Sequence, residues 1–269
     1  MMFNKDYLFL HVPRTGGKST KWLLSQCLTP PIFIFQAYNR DQYASQISKK
    51  DIIFNLKNEK LKQLFISLTQ YEKPYTIKHL SDHMAEECWD TDVLSKANPF
   101  VHAGAHVAKR VVEACGIDFN NQIKIINLRN HYHRARAIYE LELKDACLDT
   151  NKLAKRKDFE SFIYARLSKL SSSYWYSNLR YFTTINDKII NDLKILRLTN
   201  LADDLRAIFN KIDINFNDIK AKQNSAKHMR AAWPERFIIR DKVKTIDILN
   251  TWEEWSIQNN LLSALVDLN

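Results

Sequence analysis

The residues with the most chemistry for their length stand near the start of the chain, in Pro13-Arg14-Thr15-Gly16-Gly17-Lys18-Ser19-Thr20. Two adjacent glycines let the backbone turn tightly and approach a ligand closely. Two cations, Arg14 and Lys18, and the hydroxyls of Thr15, Ser19 and Thr20 are crowded around them. A helix opening at this point adds unpaired N–H groups and the positive end of its dipole, and the whole is equipment for holding a phosphate-like anion. Glycine usage sharpens the reading: the chain has four glycines, and Gly16 and Gly17 are two of them. The plain alternative is an ordinary strand-to-helix turn that binds nothing.

Further candidates lie downstream. Arg129 follows an apolar run, Ile123 to Leu128, and Arg134 comes five residues later. A guanidinium at a strand's end, with an open helix N-terminus behind it, suits a second anion. Two histidines, His102 and His106, flank Gly104. Imidazole titrates near neutrality and can take a proton from a hydroxyl. A polar stretch, Ala221 to Pro234, holds Asn224, Ser225 and Lys227 and could close over a ligand.

The elements that must position these groups can be read from apolar runs and punctuation. Tyr7 to Val12 reads as a buried strand stopped by Pro13, followed by a helix from Ser19 onward. Ile32 to Phe35 reads as a second strand after Thr29-Pro30-Pro31. Residues 37 to 96 are polar with amphipathic patches and read as a helical insertion. Phe100 to Ala103 reads as a short strand leading through Gly104 to a helix, Val107 to Cys115, closed by Gly116. Ile123 to Leu128 and Lys194 to Leu198 are further strands, with helices at about 131–144, 159–170, 174–184 and from about 200 to the end. Strands alternating with helices predict one α/β domain over 1–269: a P-loop-like three-layer fold with a mostly parallel central sheet. Ligands on such sheets gather at the carboxyl ends of the strands, where the loops after Val12, Ala103 and Leu128 would meet.

Composition bounds the partners. The chain has 269 residues, 45% of them hydrophobic, and a formal net charge of +10. Such a charge favours anionic partners, although a lysine-rich surface also serves solubility. Cys27, Cys88, Cys115 and Cys147 form no close pair and no zinc pattern. No metal site, signal peptide or membrane span is expected, which predicts a reducing, cytoplasmic compartment.

At this point the sequence resembles the sulfotransferases that use 3′-phosphoadenosine-5′-phosphosulfate (PAPS), especially the carbohydrate branch containing the heparan sulfate 2-O- and 6-O-sulfotransferases. His11-Val12-Pro13-Arg14-Thr15-Gly16-Gly17-Lys18-Ser19 looks like the family's 5′-phosphosulfate loop. Ile125-Ile126-Asn127-Leu128-Arg129-Asn130, with Arg134, looks like the strand and helix that hold the 3′-phosphate. Gly104-Ala105-His106-Val107 is similar to the segment bordering the acceptor, and weaker echoes follow at Ser177 to Phe182 and Lys222 to Ser225. The resemblance implies that Arg14, Thr15, Gly16, Gly17, Lys18, Ser19 and Thr20 hold the 5′ end. Arg129 and Arg134 would hold the 3′-phosphate, with Asn224, Ser225 and Lys227 in a closing loop. It implies catalysis by Arg14, on the leaving group, and by a histidine base, His106 first and His102 second. The acceptor would be a hydroxyl, that of a glycan if the carbohydrate branch is followed, with no nucleic acid involved. Three positions depart from the pattern. Arg14 replaces the usual lysine and His131 the usual proline. Ala137 replaces a serine, a lost contact that Arg136 or His133 could offset.

Two rival readings remain. Gly17-Lys18-Ser19-Thr20 matches the end of a P-loop kinase's phosphate loop, but the glycine that pattern needs five residues earlier is Val12. A basic nucleic-acid-binding or adaptor protein on a decayed nucleotide fold would also suit the charge and the aromatic content.

Overall fold

The computed structural model describes residues 1–35, 52–54, 59–61, 63–64, 102–146, 158–167, 178–209 and 233–268. Among the described residues there are eight short strands: β1 (Met2–Phe3), β2 (Tyr7–Leu10), β3 (Ile32–Ile34), β4 (Ile52–Phe54), β5 (Ile123–Leu128), β6 (Thr184–Ile185), β7 (Lys188–Ile189) and β8 (Leu193–Arg197). The helices that matter here are α1 (Gly17–Cys27), α2 (Ala105–Ala114), α3 (His131–Ala146), α4 (Phe159–Phe162), α5 (Leu179–Thr183), α6 (Leu201–Phe209), α7 (Lys242–Trp252) and α8 (Glu254–Gln258).

Six strands form one mixed sheet in the order β4-β3-β1-β2-β5-β8, and β6 pairs with β7 as a separate ribbon. β2 is apolar apart from the Tyr7 hydroxyl, and β5 is apolar apart from Lys124 and Asn127, as suits strands covered on both faces. They run parallel with Leu10 opposite Ile126, and β5 runs parallel to β8 with Leu128 opposite Arg197. The carboxyl ends of these three strands therefore open at one edge.

Helices cover both faces. Leu8, Leu10, Ile126 and Leu128 pack with Val107, Val111 and Val112 of α2 and with Leu179 and Phe182 of α5. Phe9, Ile125 and Leu196 face the other way, onto Leu23 and Leu24 of α1 and Leu201 and Leu205 of α6. A third cluster joins α3, α4 and α7 through Tyr139, Phe159, Phe162, Leu249 and Trp252. No helix among the described residues is long and apolar enough to cross a membrane.

The sheet is mixed: five of its six strands share one direction, and only the two-residue strand β1 is inserted antiparallel, to both β2 and β3. Two expectations need correction. The stretch 37–96 is not purely helical: Ile52–Phe54 adds β4, parallel to β3, while most of the stretch lies outside the described residues. His102 and Ala103 belong to no strand, while residues 100 and 101 lie outside the described residues. His102 meets the chain just after β2 instead, through its bond to the His11 carbonyl.

Candidate functional site

The loop between β2 and α1 is held by its carbonyl oxygens. The His102 imidazole bonds the His11 carbonyl at 2.8 Å through Nδ1. The Thr15 hydroxyl donates to Val12 O at 2.9 Å. Arg134 Nε donates to Pro13 O, Arg129 Nη1 to Arg14 O and Asn127 Nδ2 to Thr15 O, at 3.3, 3.2 and 3.1 Å. Thr20 then closes the first helical turn onto Gly16 O. Every carbonyl from His11 to Gly16 thus has a donor.

The consequence follows from peptide geometry. In a planar trans peptide the C=O and the next N–H point opposite ways. Drawing the Pro13, Arg14 and Thr15 carbonyls toward β5 and α3 turns the following amides to the other side of the loop. Arg14 and Gly16 both adopt left-handed conformations, with φ of 64° and 89°. Such residues, alternating with ordinary ones, fold successive amides into an anion-sized concavity. Gly17, Lys18 and Ser19 precede the first intrahelical bond, so their amides have no carbonyl one turn back and point into the same hollow.

The two glycines are needed for different reasons. Gly16 combines its left-handed φ with a close neighbour: a β-carbon there would lie 2.6 Å from Leu198 Cδ1. Gly17 has an ordinary φ, but a β-carbon would lie 1.9 Å from Cδ2 of His11. The His11 ring lies on the bare Cα, stacked with Phe9 and tilted against His102.

Not all expected ligand groups face the hollow. The Thr15 and Thr20 hydroxyls serve the loop's own frame; Thr20 also accepts from Asn127. Arg134 is buried: Nη1 pairs with Glu253 at 2.9 Å and the guanidinium stacks over Trp252. Burial pushes the Glu253 carboxyl up and the Arg134 guanidinium down, each opposed by the partner's charge. Arg134 therefore belongs to the frame and not among the groups facing a ligand. The α3 N-terminus is not open either, since the Asn130 side chain accepts from the Tyr132 and His133 amides.

Arg14, Ser19 and Arg129 are half-buried at the mouth of the loop. The Lys18 side chain, and Asn224, Ser225 and Lys227, lie outside the described residues. His102 is buried and held neutral, its pKa pushed well below 6.5 by desolvation. A carbonyl only accepts, so the Nδ1 of His102 carries the proton. His106 is half-buried in the first turn of α2, edge-on to Tyr181 at 5.9 Å. Tyr181 in turn covers Gly104, where a β-carbon would meet its ring and its carbonyl at 2.7 and 2.8 Å.

Asn127 and Glu253 were not singled out from the sequence. An asparagine near the end of a largely apolar strand is the available signal for the first; nothing local marks the second. Among the described residues no group of three or more His, Cys, Asp or Glu could hold a metal ion. Compared with protein-family models, curated proteins and solved structures, the chain finds no match in any of the three.

Proposed function

We propose that the chain is a sulfotransferase on a P-loop-like fold. On this reading it moves a sulfuryl group from PAPS to a hydroxyl of an acceptor, and the family resemblance points to a carbohydrate. The observation that carries the reading is the engagement of every loop carbonyl from His11 to Gly16, which turns the following amides toward an anion, with Arg129 Nη1 3.2 Å from the Arg14 carbonyl. The two groups that this reading assigns to a nucleotide phosphorylated at both ends, the loop and Arg129, adjoin one another at one edge of the sheet.

PAPS supplies an activated sulfuryl group; the protein's part is positioning and charge stabilisation. The amides of Gly16, Gly17, Lys18 and Ser19 hold the 5′-phosphate. Arg14 stabilises negative charge growing on the oxygen that leaves sulfur, as a donor that stays protonated. Arg129 holds the 3′-phosphate. His106 takes the acceptor's proton as the acceptor oxygen bonds to sulfur and the bond from sulfur to the bridging oxygen breaks. His102 suits the role less well, because it is buried and its Nδ1–H is already committed to His11.

Calorimetry with the desulfated product, 3′-phosphoadenosine-5′-phosphate, tests this before any acceptor is known. Wild type binds, and Arg129→Ala binds about ten- to a hundredfold more weakly, the equivalent of about 1.5–3 kcal/mol for a hydrogen bond to a charged group. No heat of binding from the wild-type protein at millimolar nucleotide would refute the assignment.

A further inference from the structure

Glu253 lies at the break between α7 and α8 with its side chain fully buried. One oxygen, Oε1, pairs with Arg134 Nη1 at 2.9 Å, and Arg134 Nε supports the Pro13 carbonyl of the loop. The other, Oε2, accepts from the Leu179 amide at 3.0 Å and from the Ser256 hydroxyl at 2.7 Å. Leu179 is the first residue of α5, and α5 carries Tyr181, which covers Gly104 and meets His106. A single carboxylate therefore touches, through one intermediate on each side, both the anion loop and the wall that holds the candidate base. Removing two ions from water offsets most of their mutual attraction, so such a pair is poorly explained by stability alone.

We infer that Glu253 is a positioning residue that keeps the anion loop and the His106 wall in register, so that an anion seated on the loop also orders the first turn of α5. The inference rests on reading residues 15 to 19 as an anion site. It adds to that reading a mechanical link between donor and acceptor sides.

Arg134→Lys is the discriminating variant. Lysine keeps a cation beside Glu253, but a single ammonium cannot reproduce the fork that also reaches Pro13 O. The double variant Arg134→Met, Glu253→Met replaces the pair by apolar side chains of similar length, a change buried pairs often tolerate. Calorimetry with 3′-phosphoadenosine-5′-phosphate and with inorganic pyrophosphate is combined with thermal unfolding and amide exchange over Leu179–Thr183. The expected result for Arg134→Lys is cooperative unfolding near the wild-type midpoint with affinity for both anions reduced about tenfold. Bound nucleotide slows exchange in α5 of wild type and not of the variant.

If Arg134→Lys binds within about twofold of wild type, or if nucleotide leaves α5 exchange in the wild-type protein unchanged, the inference is overturned. The double variant, where it folds, gives the same reading without any buried charge. Wild type that binds pyrophosphate but not the nucleotide sinks the proposed function alone, and the pyrophosphate arms then decide the link. Wild type that binds neither anion overturns both.

Discussion

Gly17→Ala isolates a steric effect from a conformational one. Gly17 has an ordinary φ and opens α1, so the backbone accepts alanine there, and alanine exceeds glycine in helix propensity by up to about 1 kcal/mol. On propensity alone the substitution stabilises. The new methyl, however, would stand 1.9 Å from Cδ2 and 2.0 Å from Nε2 of His11, far inside contact distance. His11 is 8% exposed and its ring lies 4.2 Å from that of His102 and 6.0 Å from that of Phe9, so the ring has to leave its place. Overpacking of this kind costs about 1–3 kcal/mol, which leaves a net destabilisation of up to about 2 kcal/mol after the full propensity gain. In a His11→Ala background the obstacle is gone, and Gly17→Ala should be neutral or stabilising. Urea denaturation of the four proteins in the cycle measures the coupling, expected at about 2 kcal/mol. A Gly17→Ala cost that persists undiminished without the His11 ring would refute the packing account.

Two further outcomes concern the loop's frame. The folded protein leaves His102 neutral where the unfolded chain takes up a proton, so stability is lost as pH falls below 6.5, by up to about 1.4 kcal/mol per pH unit for one proton. His102→Gln removes that part of the slope, read from urea midpoints between about pH 7.5 and pH 5.5, while His131, also depressed by burial, keeps its own share; identical slopes in the two proteins would contradict the assignment. Asn127→Leu withdraws the donor from Thr15 O and Thr20 and should cost about 2–3 kcal/mol. Asn127→Asp, similar in shape but unable to donate when ionised, should fare no better, and a stable aspartate variant would show that donation is not what Asn127 supplies.

The strands around the site were readable because each is a short, predominantly apolar run: β2 before Pro13, which cannot continue a ladder, and β5 before Arg129. α2 was readable from its spacing and from Gly116, whose φ of 78° closes it. β1 was not, because two residues, Met2 and Phe3, carry no periodicity. Its place between β2 and β3 depends on Met2 pairing with both Phe9 and Ile34. Of the strand expected at residues 100 to 103, His102 and Ala103 lie outside any strand, because the His102 ring is drawn onto the His11 carbonyl.

The division of labour within the site was harder to read, for a chemical reason. The donors that hold the loop come from 91 to 121 residues away: His102, Asn127, Arg129 and Arg134. Three of those four, all but Asn127, were read from the sequence as catalytic or ligand-binding groups. A guanidinium or an imidazole N–H bonds a carbonyl oxygen by the same directional chemistry with which it bonds a phosphate oxygen. Residue type alone therefore cannot separate a group that binds the anion from one that shapes the loop which binds it. Burial separates them. Arg134 and His102 are closed off on the carbonyl side of the loop, whereas Arg129 is half-exposed and has one nitrogen on the Arg14 carbonyl. If Arg129 serves both oxygens at once, its loss should weaken anion binding more than removal of either contact alone would. The same reasoning makes loss of Arg134, which never meets a ligand, visible only through the loop it holds.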